Sequence, residues 1–381
     1  MDASRFVSSE WGRAVSTGGR HGYVAFEPAR LPLTVPLGLR AVRALSEADS
    51  ALGRLAGAGR LLPNPHLLIG PYLTQEAIAS SRIEGTQASL SDVFDAVATG
   101  EDPTVDVMEV RNYVLALEHG LERLSSLPMS KRLLLEMHDR LLTGVRGQEK
   151  TPGEFRTTQN WIGSPDNRPD TALFVPPTVD NMWPALDDWE KYLHLPNPEL
   201  PLLVRAALLH YQFETIHPFL DGNGRLGRLF TVLFLVEQQA LPAPLLPLSA
   251  FLENHRDEYY RRLQAVREVG EFDEWLRFFL TAITEQSLDS LARAERLLDL
   301  REQYRQAFHG SRSRASEVID LLFSNPVLTT RLVSLHLGVT PQGALHLLRQ
   351  VTDKGILQEV GHGRGTRVRW YGADLMTILD L

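Results

Sequence analysis

An all-α fold is predicted for this 381-residue chain, with a short extended piece near its middle and a winged helix-turn-helix at its C-terminal end. Three observations predict it. Apolar residues recur at helical spacing through most of the stretch from Val107 to Phe308. Strand-like alternation is confined to short segments, among them Thr171-Ala172-Leu173-Phe174-Val175. Beyond residue 315 three short helical patterns are followed by two extended ones around a glycine-rich turn.

The elements follow in order. The first hundred or so residues mix Pro/Gly-rich stretches, such as Leu61-Leu62-Pro63-Asn64-Pro65, with helical segments. One segment carries Ser80 to Glu84, and Gly85 is its natural C-terminal stop. Ser130 stands where a cap belongs, ahead of Leu133-Leu134-Leu135. Residues 171–175, just before Pro176-Pro177, read either as an extended piece or as a surface loop with its apolar residues folded under it. Leu203, Ala207, His210 and Glu214 share a helix face, but Pro218 disfavours helical geometry at His217 and places it at the helix end or in the next loop. A new helix begins near Arg225, with Leu226, Leu229, Phe230, Leu233 and Phe234 on its apolar side. Trp275, Leu276, Phe278 and Phe279 face a core, Ser287 to Phe308 forms a long charged helix, and residues 309–314 are a linker. In the last module, helices over Glu317 to Phe323, Thr329 to Leu337 and Pro341 to Gln350 precede a two-stranded wing over 357–371. Thr340, Gln342 and Gly343 start the recognition helix, and Arg364, Arg367 and Arg369 lie on the wing. The boundaries expected are 1–105, 106–290, 291–314 and 315–381.

The chemistry concentrates in His217-Pro218-Phe219-Leu220-Asp221-Gly222-Asn223-Gly224-Arg225-Leu226-Gly227-Arg228. Glycines on both sides of Asn223 allow peptide N–H groups to converge on one point at a helix N-terminus, which suits a phosphate. Arg225 and Arg228, three residues apart, present two planar forks to phosphate oxygens. Asp221 is a hard oxygen ligand of the kind magnesium uses when substrate phosphates complete its shell. His217 is the group that can take up a proton near neutral pH. A His210/Glu214/His217 zinc face is the rival reading, and Pro218 weighs against it. No Gly-Lys-Ser/Thr follows a glycine-rich loop, so a P-loop is excluded.

Residues 217–228 match every fixed position of the pattern His-Pro-Phe-x-Asp/Glu-Gly-Asn-Gly-Arg-x-x-Arg, and so resemble the Fic (filamentation induced by cAMP) family. The similarity continues at Gly153-Glu154-Phe155-Arg156, Asn160-Trp161-Ile162-Gly163, Phe174-Val175-Pro176-Pro177, Ser249 and Tyr259-Tyr260. It implies a Fic helical core that transfers AMP from ATP, with Mg2+, to a Tyr, Thr or Ser hydroxyl of a target protein. His217 would be the general base and Asp221 the metal ligand. Gly222, Asn223 and Gly224 would hold the α- and β-phosphates, with Arg225 beside them and Arg228 on the γ-phosphate. Ala172, Leu173, Phe174 and Val175 would be the flap that docks the target by backbone pairing. Ser80-Ser81-Arg82-Ile83-Glu84-Gly85 is similar to the family's inhibitory pattern Ser/Thr-x-x-x-Glu-Gly/Asn, of the subgroup that carries it N-terminally. Ser80, Glu84 and Gly85 would then form an inhibitory helix whose Glu84 competes with ATP for Arg228. Removal of AMP, with Glu84 orienting a water, and a DNA-binding regulator whose core only senses nucleotide both stay open.

Composition agrees with a cytoplasmic protein of two or three domains. No cysteine is present, which excludes a disulfide, a thiolate nucleophile and a zinc ribbon. The longest apolar run, near Leu229 to Val236, is far too short to span a bilayer, so no membrane partner is expected. The net charge of −8 argues against a chain that coats nucleic acid along its whole surface. From Ser311 onward, eight Lys/Arg against six Asp/Glu leave that end slightly basic, which permits DNA or a protein as its partner. A homodimer is left open.

Overall fold

A computed structural model of the chain describes residues 1–18, 22–61, 66–196, 198–311, 313–361 and 368–379. The architecture is helical. Helices α1 (Leu39–Leu61), α2 (His66–Ile83), α3 (Leu90–Thr99), α4 (Val105–Arg123) and α5 (Lys131–Leu142) precede a long irregular stretch. Then come α6 (Val179–Leu193), α7 (Leu202–Ile216), α8 (Asn223–Glu237), α9 (Leu248–Asn254), α10 (Arg256–Val269) and α11 (Phe272–Gln306). Ser130 caps α5 by accepting the Leu133 N–H at 3.4 Å, and Ser89 and Asp92 form a reciprocal capping box on α3.

The centre is the packed pair α7 and α8. Every residue of α7 from Leu203 to Ile216 is buried, as is nearly all of α8 from Asn223 to Leu235. A helix apolar on all sides must be surrounded, and α4, α5, α6 and α11 surround this pair. Gly120 in α4 admits the Leu233 side chain, since a Cβ there would stand 3.0 Å from Leu233 Cδ2. Long α11 lies against α1 and runs unbroken through the domain boundary expected at residue 290, because no Gly or Pro interrupts its sequence.

Beside the helices sits a hairpin that helical periodicity does not announce. Strands β1 (Gly12–Ser16) and β2 (Val24–Pro28) pair antiparallel, Gly12 opposite Pro28. A second small core forms where Phe26 and Ala25 meet Met1, Phe6, Ala172, Phe174 and Val175. The hairpin is therefore fixed by a tertiary partner about 150 residues away in sequence as much as by its own alternation.

The C-terminal module contains α12 (Ala315–Ser324), β3 (Val327–Leu328), α13 (Thr330–Leu337), α14 (Pro341–Asp353), β4 (Gln358–Val360), β5 (Arg369–Tyr371) and α15 (Ala373–Leu379). Thr329 caps α13, Gly338 ends it in the left-handed conformation, and Thr340 caps α14. Where two strands are expected, three form, in the order β3-β5-β4. The extra strand is only two residues long, too short to show a period of two. Arg364 and Arg367 lie outside the described residues. Arg369 turns inward to the helical body, 3.5 Å from Asp95 Oδ2 and 4.0 Å from Glu101 Oε2. Tyr371 Oη donates to Asp95 as well, Asn325 Nδ2 to the Phe94 carbonyl and Thr329 Oγ1 to the Ala98 carbonyl. Gln75 of α2 donates to the Leu379 carbonyl at 2.5 Å, so the module grips both α2 and α3. Among the described residues no helix is long and apolar enough to cross a membrane.

The packing of α8 yields a first prediction. Leu233→Ala, at a site of 0% exposure, is expected to cost about 2–5 kcal/mol of stability, read from the denaturant midpoint. A loss below about 1 kcal/mol would contradict the central placement of α8.

Candidate active site

Helix α7 ends at Ile216, and His217 follows in the left-handed conformation with φ 48° and ψ 61°. Pro218 accounts for the helix stopping here, since its ring disfavours right-handed helical geometry at the residue before it. Strain of this kind persists only where neighbours hold it, and here they are explicit. The His217 carbonyl accepts from Arg156 Nε at 3.1 Å and from Asn160 Nδ2 at 3.0 Å. Arg156, fully buried, also donates from its backbone N–H to the Pro218 carbonyl and from Nη2 to the Pro177 carbonyl. Asn160 Nδ2 reaches the Phe219 carbonyl at 2.8 Å. The Gly-Glu-Phe-Arg and Asn-Trp-Ile-Gly segments thus act as braces for the loop that carries His217.

The turn into α8 is tied from within. Asn223 accepts the Phe219 N–H at 2.9 Å and donates to the Phe219 carbonyl at 2.8 Å. Its side chain is therefore occupied in folding the loop, and what it can offer the cavity is its backbone N–H. Gly222 is left-handed at φ 77° and caps α8, whose first-turn amides have no intrahelical acceptor. Underneath lies His138, buried completely and stacked on Phe219 at 3.9 Å. Its Nδ1 accepts from Gly153 N–H at 2.9 Å, so its Nε2 carries the proton and donates to the Asp221 carbonyl at 3.0 Å. Burial holds this imidazole down at about 4, which keeps it neutral in that role.

Asp221 itself projects outward, with 44% of its side chain exposed. Oδ1 accepts from the Gly222 N–H at 2.5 Å and lies 3.5 Å from Arg225 Nη2. A Cβ on Gly147 would stand 2.8 Å from Oδ2, so glycine there keeps that oxygen open. A divalent cation fits this donor on chemistry. Among the described residues no group of three or more His, Cys, Asp or Glu side chains could hold a metal, so phosphate oxygens would have to complete the shell. The His210/Glu214/His217 face is divided: His210 is hydrogen-bonded to Thr231 and Tyr259 at 3.0 and 2.8 Å, in the interior.

Arg225 and Arg228 are both buried, and they take different partners. Arg225 turns to Asp221, whereas Arg228 donates from Nε to Ser80 Oγ at 2.9 Å and from Nη2 to the Ser80 carbonyl at 2.9 Å. The same Nη2 reaches Glu84 Oε1 at 2.8 Å. Burial alone would raise the Glu84 carboxyl, but the charge and hydrogen bond of Arg228 outweigh it and hold Glu84 below the usual carboxylate range. Gly224 makes the approach possible, since a Cβ there would be 2.4 Å from Glu84 Oε1. Gly85, at φ 99°, turns the chain away directly after the carboxylate.

Helix α2 is anchored about two turns before Glu84 by Glu76, which sequence reasoning missed. Its carboxyl, fully buried and raised by burial, accepts from Tyr113 Oη of α4 at 2.9 Å and from the Ser249 N–H of α9 at 2.8 Å, with Ser249 Oγ as a third donor. The partners lie 37 and 173 residues away, beyond any local pattern.

Glu84, Glu214, His217, Asp221, Arg228 and Tyr260 line one cavity of about 690 Å³. His217 Nδ1 faces the Glu214 carbonyl at 3.3 Å, which makes Nδ1 the donor and Nε2 the free acceptor. Burial, helped by Arg267 and Arg156, lowers this imidazole to about 3. At the cavity's edge Ile162 and Phe174 form an antiparallel bridge. Ala172, Phe174 and Val175 are buried beneath the N-terminal hairpin, and the Val175 carbonyl already accepts from the Phe26 N–H. Leu173 remains 58% exposed beside the cavity, so the two sequence readings of this segment each describe part of it.

Residues 42–122 match the Fic/DOC family N-terminal region, and residues 128–235 match the Fic/DOC family. Curated relatives include "Protein adenylyltransferase Fic" of Culex quinquefasciatus, 29% identical over 222 residues, and that of Aedes aegypti, 28% identical over 222 residues. Each alignment covers 56% of this chain and 41% of the relative, so the chain spans about two fifths of the length of the curated relatives it matches. Among solved structures, a Fic family protein from Desulfovibrio desulfuricans G20 superposes with a TM-score of 0.57 at 22% identity, covering 89% of this chain and 98% of that one. A Fic domain containing signaling protein from Bacteroides thetaiotaomicron superposes at 0.51 with 17% identity, covering 67% and 95%. With both consecutive domains matched and the helical fold shared, the chain belongs to the Fic/DOC family.

Proposed function

We propose that this chain transfers AMP from ATP to a Tyr, Thr or Ser hydroxyl of a target protein, and that Glu84 holds it inactive. The observation that carries the reading is the buried Arg228 guanidinium gripped by Ser80 and Glu84 at the mouth of a glycine turn. A guanidinium in that position recognises either a carboxylate or a terminal phosphate, but not both at once. With Glu84 in place, ATP lacks its γ-phosphate anchor, and its α-phosphorus is held off the in-line geometry that transfer requires.

Transfer balances simply. Neutral His217 takes the proton of the target hydroxyl at Nε2, and the oxygen forms a bond to the α-phosphorus. The bond from that phosphorus to the bridging oxygen breaks, and pyrophosphate leaves. Amides of Gly222, Asn223 and Gly224 face the developing charge, and Arg225 sits behind them. A magnesium ion bound through Asp221 would supply charge neutralisation on the phosphates. Leu173 supports target docking, because its exposed position lies beside the bridge of Ile162 and Phe174 at the cavity edge.

Removal of AMP is the second reading, supported by the 36% of the Glu84 side chain that stays exposed and can meet a water. The C-terminal module is read as a winged helix. The pairing of Arg369 with Asp95 and Glu101 favours a protein-docking role over a free DNA-reading wing, while exposed Gln342 keeps DNA as the alternative.

Two outcomes are expected. With labelled ATP and magnesium, Glu84→Gly should label protein on the order of 10²-fold faster than the parent. Adding His217→Ala should remove about 10²- to 10⁴-fold of that rate. Unchanged labelling in Glu84→Gly would overturn autoinhibition, and AMP loss from a premodified target only with Glu84 present would favour the hydrolase. Separately, Arg228 depresses the Glu84 carboxyl below its ordinary value of 4.5, so the pair stabilises the fold above that pH and the contribution fades as pH falls through the depressed value. Thermal unfolding should therefore lose more stability between about pH 7 and pH 3 in the parent than in Glu84→Gln, and parallel curves would contradict the ion pair.

A further inference from the structure

Glu214 has no role in the transfer scheme above, yet it lies in the wall of the same cavity. It is 6% exposed, and its Oε1 has no hydrogen-bond partner. Its Oε2 lies 4.0 Å from His217 Nδ1, on the side of the imidazole away from the free Nε2. Gly227 of α8 gives it room, because a Cβ there would be 2.5 Å from Oε1. A buried carboxyl left with an open oxygen is expensive to keep unless it answers a charge that appears during function. One such charge appears next to it: the imidazolium that His217 becomes when it takes the hydroxyl proton.

We propose that Glu214 is a positioning residue for His217, holding Nδ1 toward the interior and balancing the positive charge as Nε2 is protonated. The proposal rests on His217 acting as a base. Burial together with Arg267 and Arg156 makes this imidazole a poor proton acceptor, offset only in part by the Glu84 carboxylate and the Glu214 carbonyl. The groups facing Glu214 are Arg228 from α8, Glu84 beyond α2, Arg267 and Tyr259 from α10, and His217 itself. Burial lifts Glu214 to about 7, with Glu84 adding to the rise and Arg228 and Arg267 opposing it. Below that value Glu214 is neutral and cannot support the imidazolium. Above it the carboxylate does so.

The test compares Glu214→Gln and Glu214→Asp in the Glu84→Gly background. For Glu214→Gln, kcat should fall about tenfold or more while KM for ATP stays put, and the acidic fall in kcat, which the loss of Glu84 moves below its place in the intact chain, should flatten. Glu214→Asp, which keeps the charge, should retain that acidic limb and recover part of the rate. Carbethoxylation of His217 by diethyl pyrocarbonate, followed by mass spectrometry, reads the imidazole without ATP or target. Its rate should fall in Glu214→Gln. An unchanged pH profile together with an unchanged modification rate would overturn the proposal, even if kcat dropped. If Glu214→Gln fails to fold, loss of the acidic limb in Glu214→Asp would overturn it instead. Should the Glu84→Gly background transfer no label at all, the transferase reading falls, and the modification rates still decide the role of Glu214.

Discussion

A fully buried guanidinium is tolerable only with an anion beside it and acceptors for its N–H groups, and Arg228 meets that demand through Ser80 and Glu84. The arrangement around it follows from this one contact. Helix α2 must lie across the start of α8, Gly224 must lack a side chain, and Gly85 must turn the chain away. Nη1 of Arg228 is buried without a hydrogen-bond partner, so the grip of Ser80 and Glu84 leaves one donor unsatisfied.

Around that contact the chain divides its labour. The loop of His217 is rigid because Arg156, Asn160 and Asn223 hold its carbonyls and amides, and the Asp221 turn is fixed from below by the neutral ring of His138. Helix α2 is held from two sides, by Glu76 on α4 and α9 and by Gln75 on the last turn of the C-terminal module. The carboxylate at its end keeps partial exposure, whereas the serine one turn earlier is sealed.

Much of this was readable in the sequence. The glycine turn and the place of His217 at a helix end before Pro218 follow from local stereochemistry, whereas the pairing of Arg228 with Glu84, 144 residues apart, was expected from the resemblance to the Fic pattern. Helices α7 and α8 were visible from their apolar spacing. What stayed hidden depends on distance. The β1–β2 hairpin exists because Phe26 and Val175 pair across about 150 residues, and Glu76 meets Ser249 across 173. His138 sits among the apolar residues of α5 and shows nothing of its two backbone partners until α5 is packed against the Asp221 turn. The neighbours of Arg369 were equally hidden: its pairing with Asp95 and Glu101 joins residues more than 260 positions apart in sequence.

The claim beneath all of this is that one guanidinium exchanges Glu84 for the terminal phosphate of a nucleotide. Calorimetric titration of ATP and ADP into the parent chain and into Glu84→Gly tests it most directly. The exchange predicts that removing the carboxylate tightens ATP binding selectively, leaving ADP nearly unaffected, because only ATP carries the competing group. An equal gain for both nucleotides, or none for either, would contradict it.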